Sequence, residues 1–181
     1  MKPFYILHKE LCCDNPWIPV EKQRVRLPNG SESDWYVTVG KNVVITIPIL
    51  DKGGILLQRA YKHGCGEIVH EFCAGIIENG EEPEAAAKRE LLEETGYTAK
   101  QWKQLGQFYS NPTGSQSVYH VFLATGCQKV ADPQLDEAEQ IENFSVPDVS
   151  SIQEVLFHPE NKTSSATLSA LSFFLFDQKK S

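Results

Sequence analysis

The amino-acid sequence predicts a layered α/β fold, and three observations point to it. Apolar runs of strand length recur at residues 43–50 (VVITIPIL), 55–61 (ILLQRAY) and 117–126 (SVYHVFLATG). Helix-forming runs are few and interspersed among the strands rather than gathered at one end. Turn-forming Pro, Asn, Asp and Gly punctuate the intervals between them.

Taken in order, residues 20–27 and 35–39 read as a strand pair, with Pro28-Asn29-Gly30 supplying turn chemistry after the first. The continuous apolar run 43–50 suits a buried strand, and Asp51-Lys52-Gly53-Gly54 turns the chain into the strand 55–61. A loop at 62–66 leads to the extended segment 67–75. Residues 83–95 (PEAAAKRELLEET) are mostly good helix formers, with Pro83 suited to the first turn and Gly96 placed to end the helix. Strands over 102–110 and 117–126 flank a Pro/Gly loop, and 132–140 is an acidic loop before a short strand at 141–146. Two helices close the chain, at 150–157 and 163–176, the second opening on capping residues. The division expected is an N-terminal extension over 1–40 and a main domain over 41–181.

The chain has 181 residues and a net charge of −7. No basic run exceeds Lys179-Lys180, which argues against a nucleic-acid partner. No apolar stretch of about 18 residues and no signal-peptide pattern is present, so no membrane association is expected. Cys12, Cys13, Cys65, Cys73 and Cys127 are odd in number and lack zinc-type spacing, which suggests reduced thiols in a cytoplasm.

The chemistry concentrates in residues 75–97, which hold Gly75, Glu81, Arg89, Glu90, Leu91, Glu93, Glu94 and Gly96. At roughly 100° per residue, Glu90, Glu93 and Glu94 share about 100° of one helical face. Such crowding suits either a solvated acidic face or a site for a hard divalent cation with oxygen ligands. Glu90 and Glu94, four apart, are the best-matched ligand pair. Gly75 lets the backbone approach closely. Arg89, between Glu81 and Glu90, can pair with a carboxylate and fix its orientation. These neighbours favour the cation.

The same residues form the motif G-x5-E-x7-R-E-U-x-E-E-x-G-U, U being aliphatic, and the chain therefore resembles the Nudix hydrolases. A chance match is on the order of 10⁻⁹ per starting point. The resemblance implies an α/β/α sandwich around a mixed sheet, and hydrolysis of a nucleoside diphosphate linked to a second group. It implies Mg²⁺ or Mn²⁺ as cofactor and the Ala74 carbonyl as a further metal ligand beside Glu90, Glu93 and Glu94. Tyr97 departs from the aliphatic residue that usually closes the motif.

Pro112, fifteen residues beyond Tyr97, is similar in placement to a proline of the ADP-ribose pyrophosphatase branch, though Asn-Pro-Thr-Gly also makes a loop by itself. The segments 26–39 and 56–64 resemble that branch too. It implies a homodimer in which N-terminal strands exchange, and a small-molecule nucleotide substrate. Trp35, Tyr36 and Tyr61 are then candidates to stack on the base, although each also suits a core position. Arg59 and Lys62 are candidates for the diphosphate, or else surface charges at a strand end. The branch places its base on an acidic loop, here Asp136, Glu137, Glu139 and Glu142. Glu137 is the expected base and Glu139 an expected metal ligand or substitute base, unless the loop is only a solvated one.

Two departures bear on the substrate. Cys73 stands where the branch often has proline. The loop 112–117 lacks the acidic residue that commonly holds the terminal ribose, where Gln116 can hydrogen-bond without charge. The expected reaction is cleavage of ADP-ribose or a related nucleoside diphosphate sugar to a nucleoside monophosphate and a sugar phosphate. The alternatives are a binding module that senses such a ligand without turnover, or a hydrolase for GDP-mannose or a dinucleotide.

Overall fold

The computed structural model describes residues 1–180 and divides into two units. The first comprises 1–42 and 109–118. It contains an antiparallel sheet of β1 (Tyr5–Cys13), β2 (Val20–Arg26) and β3 (Glu32–Thr38), in that order. The sequence suggested only the β2–β3 pair. β1 escaped because its His8-Lys9-Glu10 core breaks the apolar alternation that marks a half-buried strand.

The β2–β3 connection is held by Asn29, whose Oδ1 accepts from the Ser31 amide at 3.0 Å, while Gly30 takes φ 86°. One side of the pair carries a cross-strand charge ladder, Lys22 and Arg24 on Asp34 and Arg26 on Glu32. Phe4 meets Trp35 edge-on at 5.5 Å. The loop 109–118 joins β3 through Thr38 N–H to the Gly114 carbonyl at 2.9 Å and Gln116 N–H to the Thr38 carbonyl at 3.1 Å.

The second unit covers 43–108 and the residues from 119 onward. Its sheet is mixed. β4 (Val43–Leu50), β5 (Ile55–Lys62), β6 (Glu67–Glu71) and β7 (Cys73–Ile76) pair antiparallel as neighbours β4–β5, β5–β6 and β4–β7. After α1 (Pro83–Thr95) come β8 (Tyr97–Thr98), β9 (Gln101–Tyr109) and β10 (Val118–Lys129), and β10 runs parallel to β4. β11 (Ile141–Val146) lies antiparallel to β5, and the chain ends with α2 (Val149–Phe157), β12 (Lys162–Thr163) and α3 (Ser165–Gln178).

Alternation along the strands builds two cores. Ile45, Ile47, Ile55, Leu57, Val121 and Leu123 face Ile152 and Leu156 of α2 and Ala170, Leu171 and Phe174 of α3. The other face presents Val44, Phe122, Cys73 and Ala124 to Ala86, Ala87 and Leu91 of α1. The result is the α/β/α sandwich. The segment expected as one strand over 67–75 is split at the fully buried Phe72, because β6 pairs with β5 and β7 crosses over to β4.

The helix ends follow local chemistry. Pro83 opens α1, and Gly96 closes it in the left-handed region at φ 75°, its N–H donating to the Leu92 carbonyl at 2.8 Å. Asp148 and Ser164 cap α2 and α3 by accepting from the Ser151 and Thr167 amides. No helix among the described residues is long and apolar enough to cross a membrane.

Candidate active site

α1 sets the spacing of the acidic residues, and Arg89 organises most of them. Its guanidinium donates twice to Glu81, from Nε and Nη2, both at 2.9 Å. Nη1 reaches Glu90 at 2.7 Å and Glu93 at 3.0 Å, and Nη2 also caps the Ile76 carbonyl at 2.9 Å. Glu81 in turn accepts from the Glu78 amide at 2.9 Å, which ties the loop before α1 to the helix. This pairing holds the Glu81 carboxyl below the ordinary carboxylate range and raises Arg89.

Glu94 is different: it points into the sandwich and is 5% exposed. Its Oε2 accepts from the Gln58 amide at 3.1 Å and from the Ala74 N–H at 3.3 Å, and the Cys73 thiol lies within hydrogen-bond reach. Burial pushes its pKa up to about 7, the nearby charges of Glu90 and Glu139 add to the rise, and the hydrogen bonds oppose it. Glu90 is also raised, by partial burial first, against the pull of Arg89. Glu93 is the most exposed of the three.

Gly75 lies under Glu90. A Cβ built on it would sit 1.9 Å from the Glu90 carboxyl carbon, so only glycine leaves room for that carboxylate against the strand. Ala74, on the same short β7, pairs with Ile45 of β4. The donors here are all hard oxygens, partly desolvated and carrying more negative charge than Arg89 neutralises, which fits a divalent cation. Among the described residues no three His, Cys, Asp or Glu side chains already converge at ligating geometry.

The acidic loop is tied to α1 by the Gln134 N–H, which donates to the Glu93 carbonyl at 2.7 Å. Glu139 accepts from the Asp136 amide at 2.9 Å, and its charge acts on both Glu90 and Glu94. Glu137 is exposed on the same loop.

The substrate candidates are distributed more widely. Arg59 pairs with Glu142 across β5 and β11. Strand alternation sets Arg59 and Tyr61 on the opposite side of β5 from Gln58, which reaches Glu94. Tyr61 is exposed near His63. Lys62 is on the Gln58 side, paired with the buried Glu71. Trp35, Tyr36, Pro112 and Gln116 belong to the first unit, with Tyr36, Pro112 and Gln116 exposed. Reasoning from sequence missed Gln58, Glu71 and Asn143. The available signal was a polar residue inside an apolar strand, strongest in the run ILLQ.

The NUDIX domain model matches residues 40–168. The chain belongs to the Nudix family. A second model, the nucleoside diphosphate sugar hydrolase N-terminal domain, matches residues 6–38. This Nudix chain is 34% identical over 139 residues to an ADP-ribose pyrophosphatase of Bacillus subtilis (strain 168), covering 76% of this chain and 75% of that one. It is 29% identical over 167 residues to an ADP-sugar pyrophosphatase of Mus musculus, covering 86% and 73%. A crystal structure of an ADP compounds hydrolase superposes with a TM-score of 0.86 at 24% identity, over 99% of this chain and 96% of that one, which shows the shared fold. The protein is a Nudix pyrophosphohydrolase.

Two outcomes test this geometry. Gly75→Ala forces the flexible Glu90 carboxylate aside rather than the backbone. Hydrolysis should fall on the order of 10²-fold, by analogy with displaced catalytic groups, while the melting temperature changes little; a fully active variant would refute the close packing.

The second is a pH effect. Because the folded state raises the Glu94 pKa from 4.5 to about 7, it binds that proton more tightly than the unfolded chain. The stability this group contributes is complete below pH 4.5 and is lost as pH rises through 7. In chelator-treated protein, urea denaturation from pH 4.5 to 8 should therefore show a decline of at most about 3 kcal/mol that Glu94→Gln lacks. Equal pH profiles for the two proteins would contradict it.

Proposed function

We propose that the chain hydrolyses the phosphoanhydride bond of ADP-ribose or a related nucleoside diphosphate sugar, using Mg²⁺ or Mn²⁺. The observation that carries this reading is the wedge of Glu90 between Arg89 and Gly75, beside the buried Glu94. The similarity to the Bacillus ADP-ribose pyrophosphatase and the mouse ADP-sugar pyrophosphatase supports the substrate class.

Glu90, Glu93, Glu94 and the Ala74 carbonyl would hold the divalent cation, which when bound neutralises the diphosphate and acidifies water. Arg89 holds Glu90 and Glu93 in place and anchors the loop through Glu81. A loop carboxylate, assigned to Glu137, takes a proton from the attacking water. Glu139, whose charge reaches Glu90 and Glu94, assists as a further ligand or substitute base. The water oxygen bonds to phosphorus as the bridging P–O bond breaks, giving a nucleoside monophosphate and a sugar phosphate. Arg59, Tyr61 and Lys62 are proposed as substrate contacts on the second unit; Trp35, Pro112 and Gln116 are separate candidates on the first. The cytoplasm suits a chain whose five cysteines are all free.

The test is incubation with Mg²⁺ and a panel of ADP-ribose, other nucleotide sugars including GDP-mannose, and dinucleotides. AMP should appear from ADP-ribose, and Glu94→Gln should retain the fold with turnover lowered at least ~10²-fold. Glu137→Gln should lose on the order of 10²-fold or more; full activity there with loss in Glu139→Gln would move the base by two residues. Binding without any product would replace the enzyme by a sensor.

A homodimer is proposed as well. Its support is the apolar side chains exposed on β1 and the turn after it: Tyr5, Ile6, Leu11, Trp17 and Ile18. Sedimentation equilibrium should return twice the 20.3 kDa chain mass; a monomer at all concentrations would reject it.

A further inference from the structure

The face of the sheet under α1 is apolar where it meets Ala86, Ala87 and Leu91, and polar where it meets Glu94. There three side chains stand in one register row across three strands: Asn143 on β11, Gln58 on β5 and Glu71 on β6. Gln58 is 1% exposed and directly follows the apolar run Ile55-Leu56-Leu57 of β5. Burying an amide in such a place is unfavourable unless its hydrogen bonds are made. A leucine or methionine would suit the packing alone.

Both amides on this row turn toward the same residue. Gln58 Nε2 donates to Glu94 Oε2 at 3.1 Å, and Asn143 Nδ2 donates to the Glu94 backbone carbonyl at 2.8 Å. The reverse orientation of the Asn143 amide would set oxygen against oxygen, so the bond to Glu94 decides it. Its own Oδ1 is left buried with no partner. Asn143 thus satisfies a carbonyl in the last turn of α1, where none is available inside the helix, and Gln58 fixes the carboxylate that leaves the same residue.

We propose that Gln58 and Asn143 are positioning residues, a two-point clamp that presents the Glu94 carboxylate in one geometry to the divalent cation. This rests on the metal-dependent reading above. The clamp's chemistry is as telling as its geometry. Four of the acidic groups nearby have cationic partners: Arg89 serves Glu81, Glu90 and Glu93, and Lys62 serves Glu71. Glu94 is held by neutral donors, the Gln58 amide, the Ala74 N–H and the Cys73 thiol. A lysine or arginine at position 58 would neutralise the carboxylate; a neutral amide orients it and leaves its charge for the cation.

The experiment replaces Gln58 with methionine, which keeps the length and removes the donor, and reads Mn²⁺ binding by the EPR signal of free Mn²⁺. Gln58→Met should weaken Mn²⁺ binding about 10- to 100-fold and lower kcat for ADP-ribose with KM little changed. The chelated protein should still unfold cooperatively, its melting temperature lowered only modestly, since methionine keeps the packing while Glu94 loses one donor and retains the Ala74 N–H and the Cys73 thiol. In a Glu94→Gln background the same substitution should change Mn²⁺ binding less than twofold. Asn143→Ala, at a half-buried position, should weaken Mn²⁺ binding several-fold and serves if Gln58→Met does not fold.

Mn²⁺ affinity within twofold of wild type in the folded variants overturns the clamp, as does an equal loss in the Glu94→Gln background. Wild-type protein that binds no Mn²⁺ overturns it too. If Mn²⁺ binding responds as expected while no nucleotide sugar is cleaved, the clamp stands and the substrate reading falls.

Discussion

The site depends on keeping one carboxylate out of water without neutralising it. A buried carboxylate beside other carboxylates is unfavourable, and the usual resolution is a cationic partner or a proton. Here Arg89 is engaged with Glu81, Glu90 and Glu93, so Glu94 has only neutral donors. Desolvation raises its pKa to about 7, which places it near the balance between proton and charge. A divalent cation at these oxygens would compete with that proton, so that cation binding and proton release would be linked. The local excess of negative charge that makes this arrangement costly would favour a hard cation.

The fold is organised to keep that arrangement narrow. The crossing of the chain from β6 to β7 at Phe72 brings Ala74 and Gly75 beneath α1, with the Ala74 amide on Glu94 and bare Gly75 backbone under Glu90. α1 stops at Gly96, whose left-handed backbone is matched by crowding: a Cβ there would lie 2.1 Å from the Ala131 carbonyl oxygen. The Val130 and Ala131 amides donate back to the Gly96 carbonyl, and Gln134 reaches Glu93. The acidic loop therefore leaves from the end of the helix that carries the metal candidates. Glu139 can influence Glu90 and Glu94 because of that tether rather than through any proximity in sequence.

How much of this was legible in the sequence follows from how local each constraint is. α1 and its carboxylates could be read because spacing along one helix fixes which side chains share a face. The buried strands β4 and β10 and the start of β5 could be anticipated from apolar runs. The partners of Glu94 could not, since Gln58 lies 36 residues before it and Asn143 lies 49 after it. Only strand pairing brings them into one row. β1 was hidden for a different reason: nearly every residue of it is exposed, so no buried face imprints a period on it. The side of β5 on which Arg59 and Tyr61 fall likewise depends on register, which a one-residue shift inverts. The pairing of Lys62 with Glu71 was hidden for the same reason, since only the β5–β6 register brings the two side chains together.

Cys73 shows how the same field decides a residue's chemistry. A thiol beside the candidate site invites comparison with a nucleophile or a soft metal ligand. Either role needs a thiolate. Cys73 is buried, and Glu94, Glu90 and Glu71 all disfavour a negative charge on its sulfur, so its pKa is raised well above that of a free cysteine. It stays protonated and can act only as a weak donor within reach of Glu94. Burial first, and then the carboxylates that suit the site to a hard cation, hold this adjacent sulfur inert.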